Sequence, residues 1–373
     1  MALEIVFWTA AALLVYTLLG YPLLLWLLAR GRRVATVGGP SRLPAVSLIV
    51  AAYNEEDVVA RKVEDALALD YPRERLEVIV ASDGSSDQTV ERAGDAGADQ
   101  VLDLPRRGKI PAQDAAVERA RGEIVVFSDA NSLWARDALR RLVAPFADPA
   151  VGYVCGQVRF VGDDGANEEG LYWRFEMAVR GLESRLAGVT AGNGAIYAVR
   201  RNAYIVVDPR MGHDLSLPFK MVKRGLRAVY EQGAHAVEKM APTVEDEFRR
   251  KRRMMSRAWP TLLHGGMLSP RGYGPLYTLE IVSHRLLRYL APFLHLLALG
   301  TNVALAGRSA LYAFTLGVQL VFLLAALLGR FLPLRVFRVP YYYVLVTASL
   351  AAGLWDTLRG RSPVGWEKVP GTR

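Results

Sequence analysis

Three acid-bearing segments follow directly on short apolar runs. YNEE (Tyr53 to Glu56) follows Val46 to Ala51, SDGSSD (Ser82 to Asp87) follows Leu76 to Ala81, and SDAN (Ser128 to Asn131) follows Ile124 to Phe127. Further along come the glycine-rich GNGAIYAVRR (Gly192 to Arg201) and an Asp after His in Gly212-His213-Asp214. Carboxylates placed this way can accept hydrogen bonds from ligand hydroxyls, hold a hard cation through oxygen, or take a proton from an attacking hydroxyl. Cysteine chemistry is excluded as an organising principle: Cys155 is the only one, so neither an intramolecular disulfide nor a four-cysteine zinc site can form.

The apolar runs that precede the acids suit strands buried on both faces. They alternate with helix-like segments, Glu56 to Leu69 and Ile110 to Arg121, which predicts an α/β domain on a parallel sheet with right-handed crossovers. Sheets of that kind bind ligands beyond the carboxyl ends of their strands, so the three acidic segments should converge on one crevice. Glu168 to Leu186 reads as a further helix and Ile196 to Val199 as a strand. Asn54 could cap the helix after the first strand, Asp87 could cap the next, and the glycines of 192–195 could serve a tight turn or a close approach of backbone to a ligand.

Charge and hydropathy place this domain between membrane elements. Residues 42–248 carry 26 Lys and Arg against 33 Asp and Glu, while the whole chain is +9, so the basic charge sits in the flanks. Basic residues bordering apolar runs suit an anionic lipid surface, and a folded domain of net negative charge argues against nucleic acid as a partner. Ile5 to Leu28 is an uncharged stretch of 24 residues, long enough to cross a bilayer and too long for the core of a signal peptide; Arg30, Arg32 and Arg33 follow it. The expected organisation is an anchor over 1–33, a soluble domain over 40–247 after a Gly- and Pro-rich linker (Val34 to Pro44), an amphipathic segment over 248–288, and C-terminal membrane helices with a basic tail over 289–373. In the amphipathic segment, Met254, Met255, Trp259 and Leu262 could lie in the headgroup plane beside consecutive cations. Tyr289 to Ala306 and Ala310 to Leu328 are expected spans. Tyr341 to Trp355 has 15 residues before Asp356, short for a crossing. The cations Arg359, Arg361, Lys368 and Arg373 after it favour a shallow or re-entrant helix and a cytoplasmic tail.

The ordered set AAYNEE, SDGSSD, Gly108-Lys109, SDAN, GNGAIYAVRR and His213-Asp214 resembles the family 2 glycosyltransferases. It is most similar to the membrane-bound branch that includes cellulose, hyaluronan and poly-N-acetylglucosamine synthases and ceramide glucosyltransferases. The resemblance runs from about Val46 to Leu263 and implies a GT-A fold, a Rossmann-like α/β domain. It implies that Ala51, Tyr53, Glu55 and Asp83 contact the nucleotide, that Lys109 lies near the donor phosphates, and that Asp129 and Asn131 form a DxD-like site for Mg²⁺ or Mn²⁺. A solvated surface lysine is the alternative for Lys109. Asn131 puts an amide where a second acid is usual, which lowers the charge of the metal site.

Asp214 matches the family's catalytic base, with His213 where an acid is usual. Gly192, Asn193 and Gly194 fall where backbone approaches a sugar. Arg250 to Met254 matches a QxxRW motif, with Arg253 toward the diphosphate, Arg250 in place of the glutamine toward the acceptor, and Met254 in place of the stacking tryptophan. Lipid-headgroup contact is the other explanation of that cationic run.

The expected activity is therefore inverting, metal-dependent transfer of a sugar from a nucleotide-diphosphate donor, with a UDP-sugar expected, to a membrane-associated lipid or glycan. The expected setting is the cytoplasmic face of the inner membrane, with any partner subunits unspecified. A processive polysaccharide synthase and a degenerate sugar-nucleotide-binding subunit are the alternatives; the absence of glycine from Ala51 to Glu56 disfavours a nucleotidyltransferase.

Overall fold

A computed structural model describes residues 1–31, 42–161, 170–239, 244–332 and 334–361; Arg32, Arg33, most of the linker, Glu168, and the tail cations Lys368 and Arg373 lie outside the described residues. Its centre is an eight-stranded sheet. In chain order the strands are β1 (Val46–Ala52), β2 (Leu76–Asp83), β3 (Gln100–Leu104), β4 (Ile124–Asp129), β5 (Leu133–Trp134), β6 (Val151–Val161), β7 (Ile196–Arg200) and β8 (Arg227–Lys239). Across the sheet they run β3-β2-β1-β4-β7-β6-β8-β5.

The two-sided burial expected of the apolar runs is met residue by residue. Leu48, Val50, Val78, Val80 and Val126 enter one core cluster, while Ile49, Ile79, Ala81, Val125 and Phe127 enter another on the opposite face. The parallel register of β1 with β2 and β4 sets Ala51 beside Ala81 and Asp129, which brings the three strand ends together.

The sheet is mixed, which corrects the all-parallel expectation. Strands β1 to β4 are parallel, but β7 runs antiparallel to both β4 and β6, and β5 antiparallel to β8. Strand and helix alternation fixes direction only while each crossover returns the chain to the same end; after β4 the chain reverses through β7.

Helix limits also moved. The helix after β1 spans Val59–Leu67, the one before β4 spans Lys109–Arg119, and the one after β6 spans Leu171–Leu186.

At the N-terminus, Ala2–Ala29 is continuously helical, with a π-helical turn at Tyr16–Gly20. It and Ala310–Leu328 are long and apolar enough to cross a membrane. The expected Tyr289 to Ala306 span corresponds to the helix Ala291–Leu305, which suffices for a span only together with Pro275–Tyr289, bent from it by 59°. Tyr341 to Trp355 belongs to a longer helix, Arg335–Leu358, which is not among the helices that meet the criterion for crossing.

That last helix lies against Val244–Leu263. The Trp259 indole N–H donates to the Leu350 carbonyl (2.8 Å), Arg252 clasps both Asp356 oxygens at 2.6 Å, and a Cβ on Gly353 would stand 2.5 Å from the Met255 Cβ. The headgroup-plane expectation is thereby corrected: Trp259 and Leu262 are buried in a core with Tyr277, Tyr289 and Leu350, and only Met254 of the four is well exposed. An amphipathic pattern states that one face is apolar and leaves open whether lipid or protein covers it.

A candidate donor and acceptor cavity

The carboxyl ends of the sheet open on a cavity of about 400 Å³. Asp129 reaches it as the last residue of β4, and Asn131 from the turn that follows, where the Ser132 N–H donates to the Asp129 carbonyl (3.2 Å). Lys109, at the start of the Lys109–Arg119 helix, pairs its ammonium with the Asp129 carboxylate. The turn is held from behind by Lys62, fully buried, whose ammonium donates to the Ser132 carbonyl (2.6 Å); burial, partly offset by Asp65, pulls its pKa down to about 8.

Asp214 enters from another direction, in the first turn of the helix His213–Lys223. The helix start is tied to the glycine-rich loop, because the Gly192 N–H donates to the Asp214 carbonyl (2.7 Å). Gly192 has no room for a side chain: a Cβ there would lie 1.9 Å from the Tyr153 hydroxyl oxygen. Asn193 is buried, with its carbonyl oxygen accepting from Arg180 (2.7 Å) and its amide donating to the Gly156 carbonyl. Gly194 is open, its nearest neighbour to a Cβ being the Lys109 ammonium at 4.0 Å.

His213, which also borders the cavity, is held by two tyrosines. Its Nδ1 accepts from the Tyr197 hydroxyl (2.8 Å) and its Nε2 donates to the Tyr204 oxygen (3.1 Å), whose own proton goes to Asp114 (2.6 Å). Burial, with Lys109 nearby, pushes its pKa down to about 3. His213 is therefore a neutral ring that braces the start of the helix carrying Asp214. An acid at this buried position would leave the Tyr197 hydroxyl beside a costly charge.

Not every sequence candidate faces the cavity. Ala51 is buried in β1, Glu55 is buried in the turn after it, and the Tyr53 ring lies under the Arg106 guanidinium at 3.5 Å. Asp83 is almost fully buried, and its oxygens accept from the backbone N–H groups of Arg107 (2.7 Å) and Gly108 (2.9 Å). In this state Asp83 shapes the loop that delivers Lys109.

Arg250 and Arg253 both line the cavity from the Val244–Leu263 helix, Arg250 also paired with Glu247 (2.8 Å). Residues not singled out from sequence complete the wall: Arg257 on the same helix face, Arg180 and Glu176 from Leu171–Leu186, and Arg285, Arg288 and Tyr289 from the bent helix pair. Arg288 pairs with Glu176. Burial raises the Glu176 carboxyl, but Arg288 and His284 outweigh it and hold the group well below the usual range. The spacing of Arg250, Arg253 and Arg257 is a helix-face signal that was readable; Arg180 and Arg285 carry none.

Known proteins match this arrangement. Residues 47–206 fit the model of the family described as Glycosyl transferase family 2. An N-acetylglucosaminyltransferase of Rhizobium leguminosarum bv. trifolii is 37% identical over 128 residues, which is 32% of this chain and 69% of that protein. The chain belongs to glycosyltransferase family 2. The beta-monoglucosyldiacylglycerol synthase of Synechocystis sp. is 35% identical over 169 residues, 41% of this chain and 33% of that one. The chain spans between 33% and 70% of the length of the longer curated relatives that it matches. In structure, the family member resembles a mannosyltransferase, PcManGT from Pyrobaculum calidifontis, solved in complex with GDP-Man and Mn²⁺; the two share 25% identity and a TM-score of 0.73 over 96% of this chain and 99% of that one. The fold is thus GT-A, with membrane-candidate helices at both ends.

Proposed function

We propose that this protein moves a sugar, with inversion at its anomeric carbon, from a nucleotide-diphosphate donor to a hydroxyl of a membrane-associated acceptor. The observation that carries the proposal is that Asp129, Asn131 and Lys109 at the sheet end and Asp214 at a separate helix start line one cavity with a basic helix. Asp129 and Asn131 together offer oxygen donors suited to Mg²⁺ or Mn²⁺. Bound there, the cation would neutralise charge on the leaving diphosphate. The full-length likeness solved with GDP-Man and Mn²⁺ supports this reading.

The chain's own residues then divide the work. Lys109 stands beside Asp129, where it can share in binding the phosphates. Asp214 takes the proton of the acceptor hydroxyl as its oxygen bonds to the anomeric carbon. The bond from that carbon to the diphosphate breaks, and the nucleoside diphosphate leaves with the electron pair. Attack opposite the leaving group inverts the centre. Ala51, Tyr53, Glu55 and Asp83 remain the expected nucleotide side, and Gly192 to Gly194 the sugar side.

The relatives include a glucosyldiacylglycerol synthase and N-acetylglucosaminyltransferases, which supports a lipid or glycan acceptor. The basic residues flanking the apolar helices support a cytoplasmic catalytic domain at the inner membrane.

The test is a screen for nucleoside diphosphate release by the purified chain with UDP- and GDP-sugars, Mg²⁺ or Mn²⁺, and membrane lipids as acceptors. Release should be donor-dependent, and Asp214→Asn should lower the rate by about 10²–10⁴-fold while donor binding persists. Wild-type release by Asp214→Asn removes the base assignment. Absence of turnover with intact donor binding across the panel supports the degenerate-subunit reading instead.

A further inference from the structure

The cavity holds more positive charge than a sugar donor requires. Nine lysines and arginines line it against four aspartates and glutamates. Glu247, just outside, offsets Arg250 and Lys251 at 2.8 and 3.7 Å. A donor diphosphate accompanied by a divalent cation is close to neutral, so a surplus of cations remains after the donor is in place.

Much of the surplus comes from helices rather than from the sheet. Arg180 is buried and donates only to neutral acceptors, the Asn193 side chain (2.7 Å), the Gly192 carbonyl (3.2 Å) and the Met177 sulfur. Arg285 is also buried, and its Nε donates to the Thr190 hydroxyl (2.9 Å). Neither arginine forms an ion pair among the described residues. Glu183 stands near Arg285, but its oxygens are taken up by Tyr21, Thr190 and His284. Burying guanidinium groups without carboxylate partners is costly, and the cost falls when an anion arrives.

Two further facts say what kind of anion. Arg285 and Arg288 come from the bent helix pair that qualifies as a membrane span only when joined, where ionisable groups are expensive and face a polar cavity or ligand. Beside these cations the cavity wall turns apolar, with Met255, Val346 and Leu350. Cationic and apolar surfaces thus adjoin in the cavity that Asp214 also lines, and a base there needs a hydroxyl to deprotonate.

We propose that Arg180, Arg257, Arg285 and Arg288 form a second anion subsite, separate from the donor diphosphate, that binds the phosphate of an acceptor lipid whose headgroup also carries a free hydroxyl. This deepens the glycosyltransferase reading and rests on it for the role of the hydroxyl. Phosphate recognition by a buried arginine cluster is strong because each guanidinium can present paired N–H donors.

The test uses the full chain purified in detergent, with Mn²⁺ and saturating UDP or GDP. Calorimetric titrations use dioctanoyl phosphatidylinositol, dioctanoylglycerol and inorganic phosphate. Phosphatidylinositol should bind at least about tenfold more tightly than either of the others. Arg285→Gln should remove about tenfold of that preference, and Arg285→Lys should restore part of it, while nucleoside diphosphate affinity stays at the wild-type value and reports an intact fold. Equal binding of dioctanoylglycerol, or a phosphatidylinositol affinity that Arg285→Gln leaves unchanged, overturns the subsite. Inorganic phosphate binding as tightly as the lipid overturns the lipid assignment. The wild-type comparison needs no variant, so a misfolded Arg285→Gln would not rescue the proposal. Loss of nucleoside diphosphate binding in the wild type would strike the donor reading alone, because the lipid titrations can be repeated without nucleotide.

Discussion

Gly192 and Tyr153 are packed so closely that a single added methyl cannot fit between them: the Cβ of an alanine at 192 would lie 1.9 Å from the tyrosine hydroxyl oxygen. Tyr153 is fully buried, so it cannot swing into solvent to make room. The loop would have to move, and with it the hydrogen bond from the Gly192 N–H to the Asp214 carbonyl. Gly192→Ala should therefore cost about 1–3 kcal/mol of stability. It should also lower transfer by about 10²-fold through misplacement of the base. Gly194→Ala, with nothing nearer its Cβ than the Lys109 ammonium at 4.0 Å, should leave both properties near wild type. Thermal unfolding and nucleoside diphosphate release on the two variants check the contrast. Equal behaviour of the two would show that the loop's glycines are not needed for close packing.

Lys62 is the support beneath the turn that carries Asp129 and Asn131, the proposed metal ligands. Its buried ammonium holds the carbonyl of Ser132, the residue after Asn131, and lies close to Asp65 (3.5 Å). Lys62→Met keeps the bulk of the side chain and removes the donor. Loss of one partner from a buried polar contact should cost about 3 kcal/mol or more of stability. The more specific readout is the Mn²⁺ concentration for half-maximal release, which should rise several-fold as Asn131 loses its fixed position, with donor affinity at saturating metal little changed. An unchanged metal dependence would make Lys62 a matter of stability alone.

Much of the sheet end of the cavity was legible in the sequence because continuous apolar runs leave little freedom. Val46 to Ala51, Leu76 to Ala81 and Ile124 to Phe127 became β1, β2 and β4 within one or two residues at each end, and their register set the strand ends together. Strand direction beyond β4 was not legible. The long β8 mixes buried and half-buried positions, and nothing local to Ile196–Arg200 states that it runs against β4. The state of Asp83 was equally hidden: an Asp after a strand can face a ligand or cap its own loop, and here the backbone of Arg107 and Gly108, 24 and 25 residues away, occupies it. The cationic wall was half legible. Arg250, Arg253 and Arg257 share a helix face by spacing, but that Arg180 and Arg285 join them depends on how three separate helices pack, which no local pattern encodes.

His213 gives a pH signature. Its folded pKa, near 3, lies below the ordinary value of 6.5, because burial between Tyr197 and Tyr204 disfavours the charged ring. The unfolded chain then binds more protons than the folded one between those values. Stability contributed by the neutral ring is complete above about pH 6.5 and declines as pH falls toward about 3, by up to about 1.4 kcal/mol per unit. His213→Gln, which keeps a hydrogen-bonding side chain without a titrating group, should flatten that part of the stability curve. Denaturant titrations between pH 4 and 7 measure the slope. The variant should retain transfer activity at pH 7 within about tenfold, since the ring braces the helix rather than exchanging protons with substrate. A slope unchanged by the substitution would assign the acid sensitivity elsewhere.

The packing of Val244–Leu263 against Arg335–Leu358 sets the position of the proposed acceptor side. Val244–Leu263 carries Arg250, Arg253 and Arg257 toward the cavity, and its position is set by the crossing with Arg335–Leu358, where Gly353 lets the helices touch. Gly353→Val would drive two methyl groups against Met255 and Ser256, which lie 2.5 to 2.9 Å from a Cβ at that position. The nearest of these atoms are a Cβ and backbone, so the helices must separate, stretching the Trp259 to Leu350 hydrogen bond and the Arg252–Asp356 pair. Arg252→Ala, by contrast, removes a half-exposed ion pair and should cost at most about 1 kcal/mol. Gly353→Val should therefore lower acceptor-dependent transfer far more than Arg252→Ala does. It should also leave nucleoside diphosphate binding at the sheet end nearly intact, because Asp129 and Lys109 are held by β4 and the Lys109–Arg119 helix. Calorimetry with nucleoside diphosphate, run beside the release assay with and without acceptor lipid, separates the two halves. Equal loss of donor binding and transfer would mean that the cationic helix serves the donor as much as the acceptor.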